Sequence, residues 1–511
     1  MPARPGTSSF AHDGHSSAMR EHLTPLDATF LELEQADDSA HMHIGAIMVF
    51  DPIPGQGVPT REQMGELLAA RLGQLPRYRQ RLSTPRTGGL SWPAWVDVHD
   101  ADAADHISRA ALPHPGGERE LAEWSSWFFS ERLDRRRPLW EMVIVEGLAR
   151  GRWALASKTH HCMVDGVGSV DVGYLMLDTS PEAVPAAEAR GSAAARRPPA
   201  GQPQATAEVA PSATLSALSR AWEGLSPLEP VAHLAQSSVH GVLHPRETFS
   251  RAVAAARMIA QEELHGAPHT SLNSPIGTRR RFEVMRIPLR DMRAIKRALG
   301  GTINDVAVTI SASGLRALML SRGETLPSEG LRAMVPMNVR RAAEHLALGN
   351  KISSLFVDVP VAEPQTIERY FETVARSSAL KSAGRQAEGT DAVLGLAGLA
   401  PPVLHSALAR ALYATRLFNV TITNVPGPKE TLYALGARLR EVHPLVPLAA
   451  EHAVGVAIVS YDGTVFFGVV ADHDTVPDLE VMMCAMRDAS AELLAAARPS
   501  RRRGARVEAS P

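Results

Sequence analysis

Hydrophobic and polar positions along the chain repeat with two periods, and together these periods predict an α/β protein. Residues 140–148 and 153–159 are apolar, β-prone runs, and residues 149–151 between them (Ala-Arg-Gly) are typical of a hairpin turn. Residues 167–177 instead repeat their apolar positions at helical spacing. The segment between the second run and this helix therefore ends a strand, a place from which a side chain can reach into a cleft.

Other helices and strands are predicted in both halves of the chain. In the first half they are a helix at 28–36, a strand at 41–50, and helices at 61–75 and 121–133. In the second half they are strands at 281–288, 331–336, 351–359, 420–424, 454–461 and 464–470, and helices at 290–299, 302–322 and 479–497. Gly300 and Gly323 end the first two of these helices. Asp462-Gly463 predicts a tight hairpin between the last two strands.

Changes in composition divide the chain into segments. The polar ends, residues 1–22 and 498–511, are predicted to be disordered. Residues 23–178 form one α/β half and residues 271–497 a second. Residues 179–212 are rich in Ala, Pro and Ser and have few large apolar side chains, so they cannot bury enough surface to offset the entropy of ordering. They are predicted to be a flexible linker, followed by a helical connector at 213–270.

Composition and charge narrow the class of protein and its location. The 511 residues are 45% hydrophobic and 21% charged, with a formal net charge of −2, which is globular and argues against a nucleic-acid-binding protein. The two cysteines, Cys162 and Cys484, form no disulfide framework. No apolar run approaches the roughly 20 residues of a membrane span, and the N-terminus lacks the apolar core of a secretory signal. We therefore expect a cytoplasmic protein that is either soluble or touches a membrane only from one side.

The heptad at residues 160–166 carries the candidate chemistry, because it reads HHCMVDG, that is HHxxxDG. On a strand, His160 and His161 would point to opposite faces, so they are not expected to bind one metal ion, and no HExxH or CxxC pattern supplies further ligands. Spacing alone leaves a structural pair and a catalytic pair as alternatives. Asp165 could be only a helix N-cap, and Gly166 permits the tight turn.

The heptad resembles the active-site signature of the chloramphenicol-acetyltransferase-like superfamily of CoA-dependent acyltransferases. Further segments, in matching order, resemble the bacterial wax ester synthase/diacylglycerol acyltransferase family: residues 23–34 (LTPLDATFLELE), 76–82 (PRYRQRL), 138–140 (PLW), 304–305 (ND), 331–340 (LRAMVPMNVR) and 424–428 (NVPGP). The resemblance runs from about Leu23 to about Ala497. It implies two chloramphenicol-acetyltransferase-like mixed-sheet domains, joined by a flexible linker, with a substrate tunnel between them.

The resemblance also implies roles for the heptad. His161 would be the general base, and His160 would pack or orient the loop. Asp165 would be structural, pairing with an arginine that holds the loop, and Gly166 would allow the turn. Cys162 is expected to be a small buried hydrophobe and not a nucleophile.

Candidates for binding an oxyanion or positioning substrate lie in the second half, and they include both residues of the Asn304-Asp305 pair. Asn304, in the Asn304-Asp305 pair, stands at the amino end of a predicted helix, where an amide and free N–H groups suit an oxyanion; the alternative is that Asn304 or Thr302 only caps the helix. Other candidate tunnel residues lie on the strand that leads into NVPGP, namely Thr421, Thr423 and Asn424.

The expected reaction is transfer of a long-chain acyl group from acyl-CoA, a substrate, to the hydroxyl of diacylglycerol or a fatty alcohol. The products would be triacylglycerol, wax esters or both, and no cofactor, metal ion or nucleic acid is expected. The alternative is a condensation-like or polyketide-associated acyltransferase with a carrier-protein-bound donor. A non-catalytic lipid-binding scaffold would need a degraded heptad, and this one is intact.

Lipid substrates also lead us to expect peripheral contact with a membrane or lipid droplet. An aromatic cluster beside four arginines could lie at such an interface, or could be the core face of an amphipathic helix. The cluster consists of Trp124, Trp127, Phe128 and Phe129, and the arginines are Arg132, Arg135, Arg136 and Arg137.

Overall fold

The structure, a computed structural model, describes most of both predicted halves. The described residues are 21–72, 75–83, 92–98, 102–163, 176–182, 267–338, 352–382 and 418–498. The predictions for the two termini, for most of the linker and connector, and for the helix after the heptad lie outside these residues.

Seven α-helices are described, and most of them match the helical spacing of the sequence. They are α1 (Pro25–Ala36), α2 (Arg61–Leu72), α3 (Glu118–Ser130), α4 (Leu289–Leu299), α5 (Ile303–Ser321), α6 (Thr366–Ser382) and α7 (Leu479–Ala497). Gly300 and Gly323 have positive φ angles of 86° and 71°, as expected for residues that end α4 and α5. Helix α6 was not predicted.

Fourteen strands are described. They are β1 (His43–Phe50), β2 (Gln80–Leu82), β3 (Trp95–Asp97), β4 (Ile107–Ala111), β5 (Trp140–Glu146), β6 (Trp153–His160), β7 (Arg280–Pro288), β8 (Leu331–Asn338), β9 (Ile352–Val359), β10 (Val420–Val425), β11 (Tyr433–Ala434), β12 (Ala437–Leu445), β13 (Val454–Tyr461) and β14 (Thr464–Asp472). The predicted β5–β6 and β13–β14 hairpins are confirmed. Strands β2–β4, β11 and β12 were not predicted.

Twelve of these strands form two six-stranded mixed sheets. The first has the order β11-β12-β1-β6-β5-β4, and only β4 and β5 are parallel neighbours. The second has the order β7-β14-β13-β10-β8-β9, with β10 parallel to both β13 and β8. The predicted α/β class with mixed sheets is therefore confirmed.

The two sheets do not divide at the predicted boundary, because β11 and β12 belong to the first sheet although they come from the second half. Strand β12 runs antiparallel to β1, pairing Gly45 with Leu445 and Phe50 with Leu439. Strand β1 thus has partners on both edges, since β6 pairs with its other side. The predicted second half therefore contributes two strands to the first sheet, because local patterning does not show which sheet a strand joins.

Both faces of the first sheet are buried. On β1, Ile47 and Val49 face the core that is shared with the second sheet, whereas Ile44, Met48 and Phe50 belong to a separate core on the opposite face. Alternate side chains of one strand thus pack into two different cores, which explains why β1, β5 and β6 are continuous apolar runs.

Helix α3 joins the two sheets. The Ser130 hydroxyl accepts a hydrogen bond from the Arg280 N–H (2.8 Å), and the Ser126 hydroxyl accepts one from the Phe282 N–H (2.9 Å). Ser126 and Ser130 are four residues apart and so lie on one face of α3. Strand β7 is an edge strand, and these serines satisfy backbone donors that an open edge would leave unpaired.

Helix α5 is the only helix in the described residues that is long and apolar enough to cross a membrane. Its 18-residue apolar window is 72% buried inside the protein. Val306, Ile310 and Leu315 are fully buried in the core shared by the two sheets. Helix α5 therefore has the burial of a core helix.

Candidate active site

Helix α1 brings two side chains, Phe30 and Glu34, to the two histidines of the heptad. The helix begins at Pro25 after Thr24, whose hydroxyl accepts a hydrogen bond from the Asp27 N–H (3.1 Å). Phe30 and Glu34 are four residues apart and so lie on one face of the helix. Phe30 contacts His161, and Glu34 contacts His160.

Both ring nitrogens of His160 are engaged. Its Nδ1 lies 3.1 Å from the Cys162 backbone nitrogen, which can only donate, so Nδ1 accepts and the ring proton is on Nε2. That Nε2–H donates to Glu34 Oε2 at 3.0 Å. The side chain of His160 is completely buried. This arrangement agrees with an orienting role for His160.

Glu34 is a buried carboxylate among cations and imidazoles. Its Oε2 lies 2.6 Å from Arg135 Nη2, and its Oε1 lies 3.3 Å from His43 Nε2 and 3.6 Å from Arg132 Nε. Burial acts to raise the pKa of Glu34, but the hydrogen bonds from His160 and His43 outweigh it and hold that pKa well below its usual range. Glu34 is therefore ionised, and its charge stabilises the ε-protonated ring of His160.

His161 is the first residue after β6, because the strand ends at His160. Its backbone N–H donates to the Met42 carbonyl (2.8 Å), and its ring stacks on Phe30 with 3.9 Å between centroids. The side chains of both histidines thus contact α1. Because the strand ends at His160, strand alternation does not fix the direction of His161, and the opposite-face arrangement stays a prediction. Asp165 and Gly166 lie outside the described residues.

Lys158 ties the strand of the heptad to α3. Its Nζ is fully buried and donates to the carbonyls of Phe128 (2.9 Å) and Glu131 (2.7 Å) at the end of that helix. It also forms an ion pair with Glu141 (2.6 Å). Burial lowers the pKa of Lys158, although the charge of Glu141 opposes that shift. Lys158 therefore fixes the position of β6 two residues before His160.

Most of the predicted aromatic cluster is core. Phe128 and Phe129 are each 3% exposed, Trp124 packs against the same core, and only Trp127 is largely exposed (59%). Arg132 and Arg135 bind Glu34. The core interpretation of this cluster is therefore confirmed, with Trp127 as the exception.

Asp305 holds the start of α5 in place. Its Oδ2 accepts hydrogen bonds from the Thr302 N–H and hydroxyl (both 2.8 Å), and its Oδ1 accepts one from Ser377 on α6 (2.5 Å). The Thr302 hydroxyl in turn accepts from the Asp305 N–H (3.2 Å), which completes a capping box. These bonds give Asp305 a structural role at the start of α5, and its predicted substrate-positioning role stays a prediction.

Asn304 is not the helix cap, since Thr302 has that role. The Asn304 Oδ1 accepts a hydrogen bond from Asn424 Nδ2 on β10 (3.2 Å), and both side chains are half-buried. In this pairing the NH₂ group of Asn304 is the part that can donate to a carbonyl or oxyanion. Two of the predicted second-half residues are thus brought together.

Thr421 and Thr423 lie on the other face of β10 from Asn424, because side chains alternate along a strand. Thr421 is buried and Thr423 is half-buried. The structure does not group these threonines with the Asn304–Asn424 pair.

Several residues that support the site were not singled out in the sequence, among them Phe30, Glu34, His43 and Lys158. The only signal for Glu34 was its place in the motif at residues 23–34. Its partners His160 and Arg135 are 126 and 101 residues away in sequence, so local patterning could not pair them.

Comparison with protein-family models decides the family. The wax ester synthase/diacylglycerol acyltransferase catalytic domain matches residues 23–307, and the C-terminal domain of the same family matches residues 348–493. The chain belongs to the wax ester synthase/diacylglycerol acyltransferase family. The resemblance found in the sequence is therefore confirmed.

Other members of this family are similar over nearly their whole length. A probable diacylglycerol O-acyltransferase of Mycobacterium tuberculosis is 32% identical over 498 residues, which cover 95% of this chain and 98% of the relative. A second such enzyme from that organism is 29% identical over 477 residues, covering 92% of this chain and 98% of the relative.

Solved structures extend the comparison to the fold. The wax ester synthase/diacylglycerol acyltransferase of Marinobacter aquaeolei is similar with a TM-score of 0.64 and 27% identity, covering 93% of this chain and 99% of that one. The first condensation domain of the calcium-dependent antibiotic synthetase has a TM-score of 0.55 at 14% identity, covering 94% and 97%. At that identity the likeness shows a shared fold only, and it agrees with the predicted two-domain architecture.

Proposed function

We propose that this acyltransferase moves a long-chain acyl group from acyl-CoA to the hydroxyl of diacylglycerol or a fatty alcohol, with His161 as general base. The observation that carries the assignment is the state of the other histidine. Both nitrogens of His160 are bonded within a buried network, so His160 cannot accept a proton from a substrate without losing one of those bonds. His161 is the other histidine of the heptad, and we propose it as the base.

The proposed reaction needs a base because an alcohol hydroxyl is far too weak an acid to ionise near neutral pH. His161 takes the hydroxyl proton as the oxygen attacks the thioester carbon, giving a tetrahedral oxyanion. The carbon–sulfur bond then breaks, and the imidazolium returns the proton to the CoA thiolate. The ester is the product, and the heptad returns to its starting state.

An oxyanion of this kind is stabilised by donors that are already in place. We propose that the Asn304 amide is one of them, because its oxygen accepts from Asn424 and its NH₂ group is the donating end. Asn424 then acts as a positioning residue for Asn304. No acyl-enzyme intermediate is part of this scheme.

The test is turnover of the purified enzyme with a long-chain acyl-CoA and either hexadecanol or diacylglycerol, with the products resolved by chromatography. We expect His161→Ala to lower turnover per folded molecule by about 10²-fold or more, the usual size of a general-base contribution. His161→Ala with near wild-type turnover would falsify the assignment. The ratio of the two products gives the acceptor class.

We further propose that the enzyme works in the cytoplasm, at the inner face of a membrane or at lipid droplets. Both cysteines are free thiols, as in a reducing compartment. One face of α4 carries four exposed cations that line a shallow open depression, namely Arg290, Arg293, Lys296 and Arg297. Such a face suits anionic phospholipid headgroups.

Flotation with vesicles tests the membrane proposal. We expect the enzyme to float with phosphatidylglycerol vesicles more than with phosphatidylcholine vesicles, and the variant R290E/R293E/K296E/R297E to lose that preference. A variant that floats with phosphatidylglycerol as well as wild type does would show that α4 is not the lipid-binding face.

A further inference from the structure

We infer that Glu34 is a positioning residue for acyl transfer, acting through His160 to hold the turn that carries His161. The inference rests on the function proposed above, since it concerns the same base. Glu34 is a buried carboxylate that contacts the heptad through His160.

Glu34 determines which ring nitrogen of His160 carries the proton. A neutral imidazole has one N–H, and its place is set by the groups around it. The Glu34 carboxylate can only accept, and it lies 3.0 Å from Nε2, so it favours the tautomer with the proton there. In that tautomer Nδ1 has a lone pair.

The lone pair on Nδ1 of His160 holds the turn that carries His161. The Nδ1 of His160 accepts the backbone N–H of Cys162 at 3.1 Å. His161 lies between these two residues, and the Met163 N–H closes the same turn on the His160 carbonyl (2.9 Å). With the proton on Nδ1, two donors would face each other and the turn would lose its side-chain tie.

Two arginines hold the Glu34 carboxylate in place. Arg135 and Arg132 follow the end of α3, and both bind the carboxylate. Arg132 also donates to the Glu34 carbonyl (2.9 Å). Phe30, one helical turn before Glu34, stacks on the His161 ring. Helix α1 therefore positions the base by direct stacking and through the tautomer of His160.

The chain contains a matched control site at Glu441 on β12. This carboxylate also binds a buried histidine, His443 (2.8 Å), and two arginines, Arg286 (2.7 Å) and Arg152 (3.3 Å). It lies opposite Val49, and His43 lies opposite His160. Val49 is six positions along β1 from His43, which is about 20 Å along a strand. Glu441→Gln removes a carboxylate with similar partners, in a partly buried position (18% exposed), far from the heptad.

The experiment compares kcat and KM per folded molecule for Glu34→Gln and Glu441→Gln. Loss of preorganised positioning costs about tenfold to a hundredfold in rate. We therefore expect Glu34→Gln to lower kcat by that factor with little change in KM, and Glu441→Gln to keep the wild-type kcat. Glu34→Gln with a wild-type kcat overturns the inference, and so does an equal loss in both variants.

A double-mutant comparison tests the route through His160. In His160→Asn, the amide oxygen can still accept from the Cys162 N–H, but the side chain is too short to reach Glu34. If Glu34 acts through His160, adding Glu34→Gln to His160→Asn lowers kcat no further. An equal loss in both backgrounds overturns the inference.

Glu34→Asp covers the case in which Glu34→Gln does not fold. It keeps the charge for the two arginines but withdraws the carboxylate from His160, so we expect a lower kcat with a melting temperature close to wild type. His161→Ala separates the two proposals. If His161→Ala is inactive while Glu34→Asp keeps the wild-type kcat, positioning by Glu34 is wrong and the base assignment stands. If His161→Ala is active, the base assignment is wrong, and with it the inference drawn from it.

Discussion

Lys158 offers a test of how the heptad is anchored, and Lys158→Met is the sharpest change. Methionine has nearly the same length and fills the same buried space, so the substitution removes the charge and the hydrogen bonds but little packing. Two carbonyls, those of Phe128 and Glu131, lose their donor. Glu141 is 38% exposed and can return to water, so its loss of a partner costs little.

The magnitude follows from two opposing effects. Leaving a buried acceptor without a donor costs about 1–3 kcal/mol, and the Phe128 carbonyl is such an acceptor, whereas the Glu131 carbonyl is only partly buried and loses less. Against this, a buried charge carries a desolvation penalty that methionine avoids, which is why replacing a whole buried ion pair by apolar groups is often neutral. Methionine cannot donate to either carbonyl, so we expect a net loss of about 2 kcal/mol in the free energy of unfolding.

Denaturant unfolding measures this loss as a lower midpoint with an unchanged slope. Lys296→Met on the exposed face of α4 is the matched control, and surface substitutions of this kind stay within about 0.5 kcal/mol of wild type. If Lys158→Met is as stable as Lys296→Met, the lysine does not anchor α3 to β6 and the reasoning above fails.

Two further predictions concern acid and packing. Burial lowers the pKa of His43 to about 3 and that of His41 to about 4, from an ordinary 6.5. As the pH is lowered, the unfolded chain therefore binds these protons at a higher pH than the folded protein does. The free energy of unfolding is highest above about pH 6.5. Below that pH it falls by about 1.4 kcal/mol per pH unit for each histidine, until the pH reaches the pKa of that histidine in the folded protein. Melting temperatures at pH 7.5, 6 and 5 should decrease in that order, and a flat series would contradict the prediction. Gly314 of α5 packs so closely on α7 that an added methyl would lie 2.7 Å from Met486 and 2.8 Å from Met482, so Gly314→Ala should cost about 1–3 kcal/mol, measured by denaturant unfolding; an unchanged midpoint would show that the methionines move aside.

Local patterns were sufficient where the cause of a structure is local. Asp462-Gly463 predicts the β13–β14 hairpin because both residues must adopt positive φ angles, and both do. The end of β6 at His160 follows from an apolar run that stops there. The spacing of Thr302 and Asp305 also fits a capping box, so the structural role of Asp305 was present in the sequence.

The parts that could not be predicted depend on contacts between distant segments. A glutamate in a helix usually faces solvent, and nothing near Glu34 indicates that an arginine 101 residues away buries its charge. In the sequence, His160 likewise does not differ from any other strand histidine. Its role follows only from its two hydrogen bonds, to Glu34 at Nε2 and from the Cys162 N–H at Nδ1. The partner strand of β12 is also a long-range property, since alternation predicts a strand but not its sheet.

The pairing of β1 with β12 sets a condition for hybrids between relatives of this enzyme. An exchange of parts at residues 183–266 would combine β1 of one parent with β12 of the other. The register from Gly45–Leu445 to Phe50–Leu439 would then join two sequences that were never selected together. Hybrids that take residues 437–445 from the same parent as β1 keep the native register, and they are the ones in which a change of substrate preference can be attributed to the exchanged part.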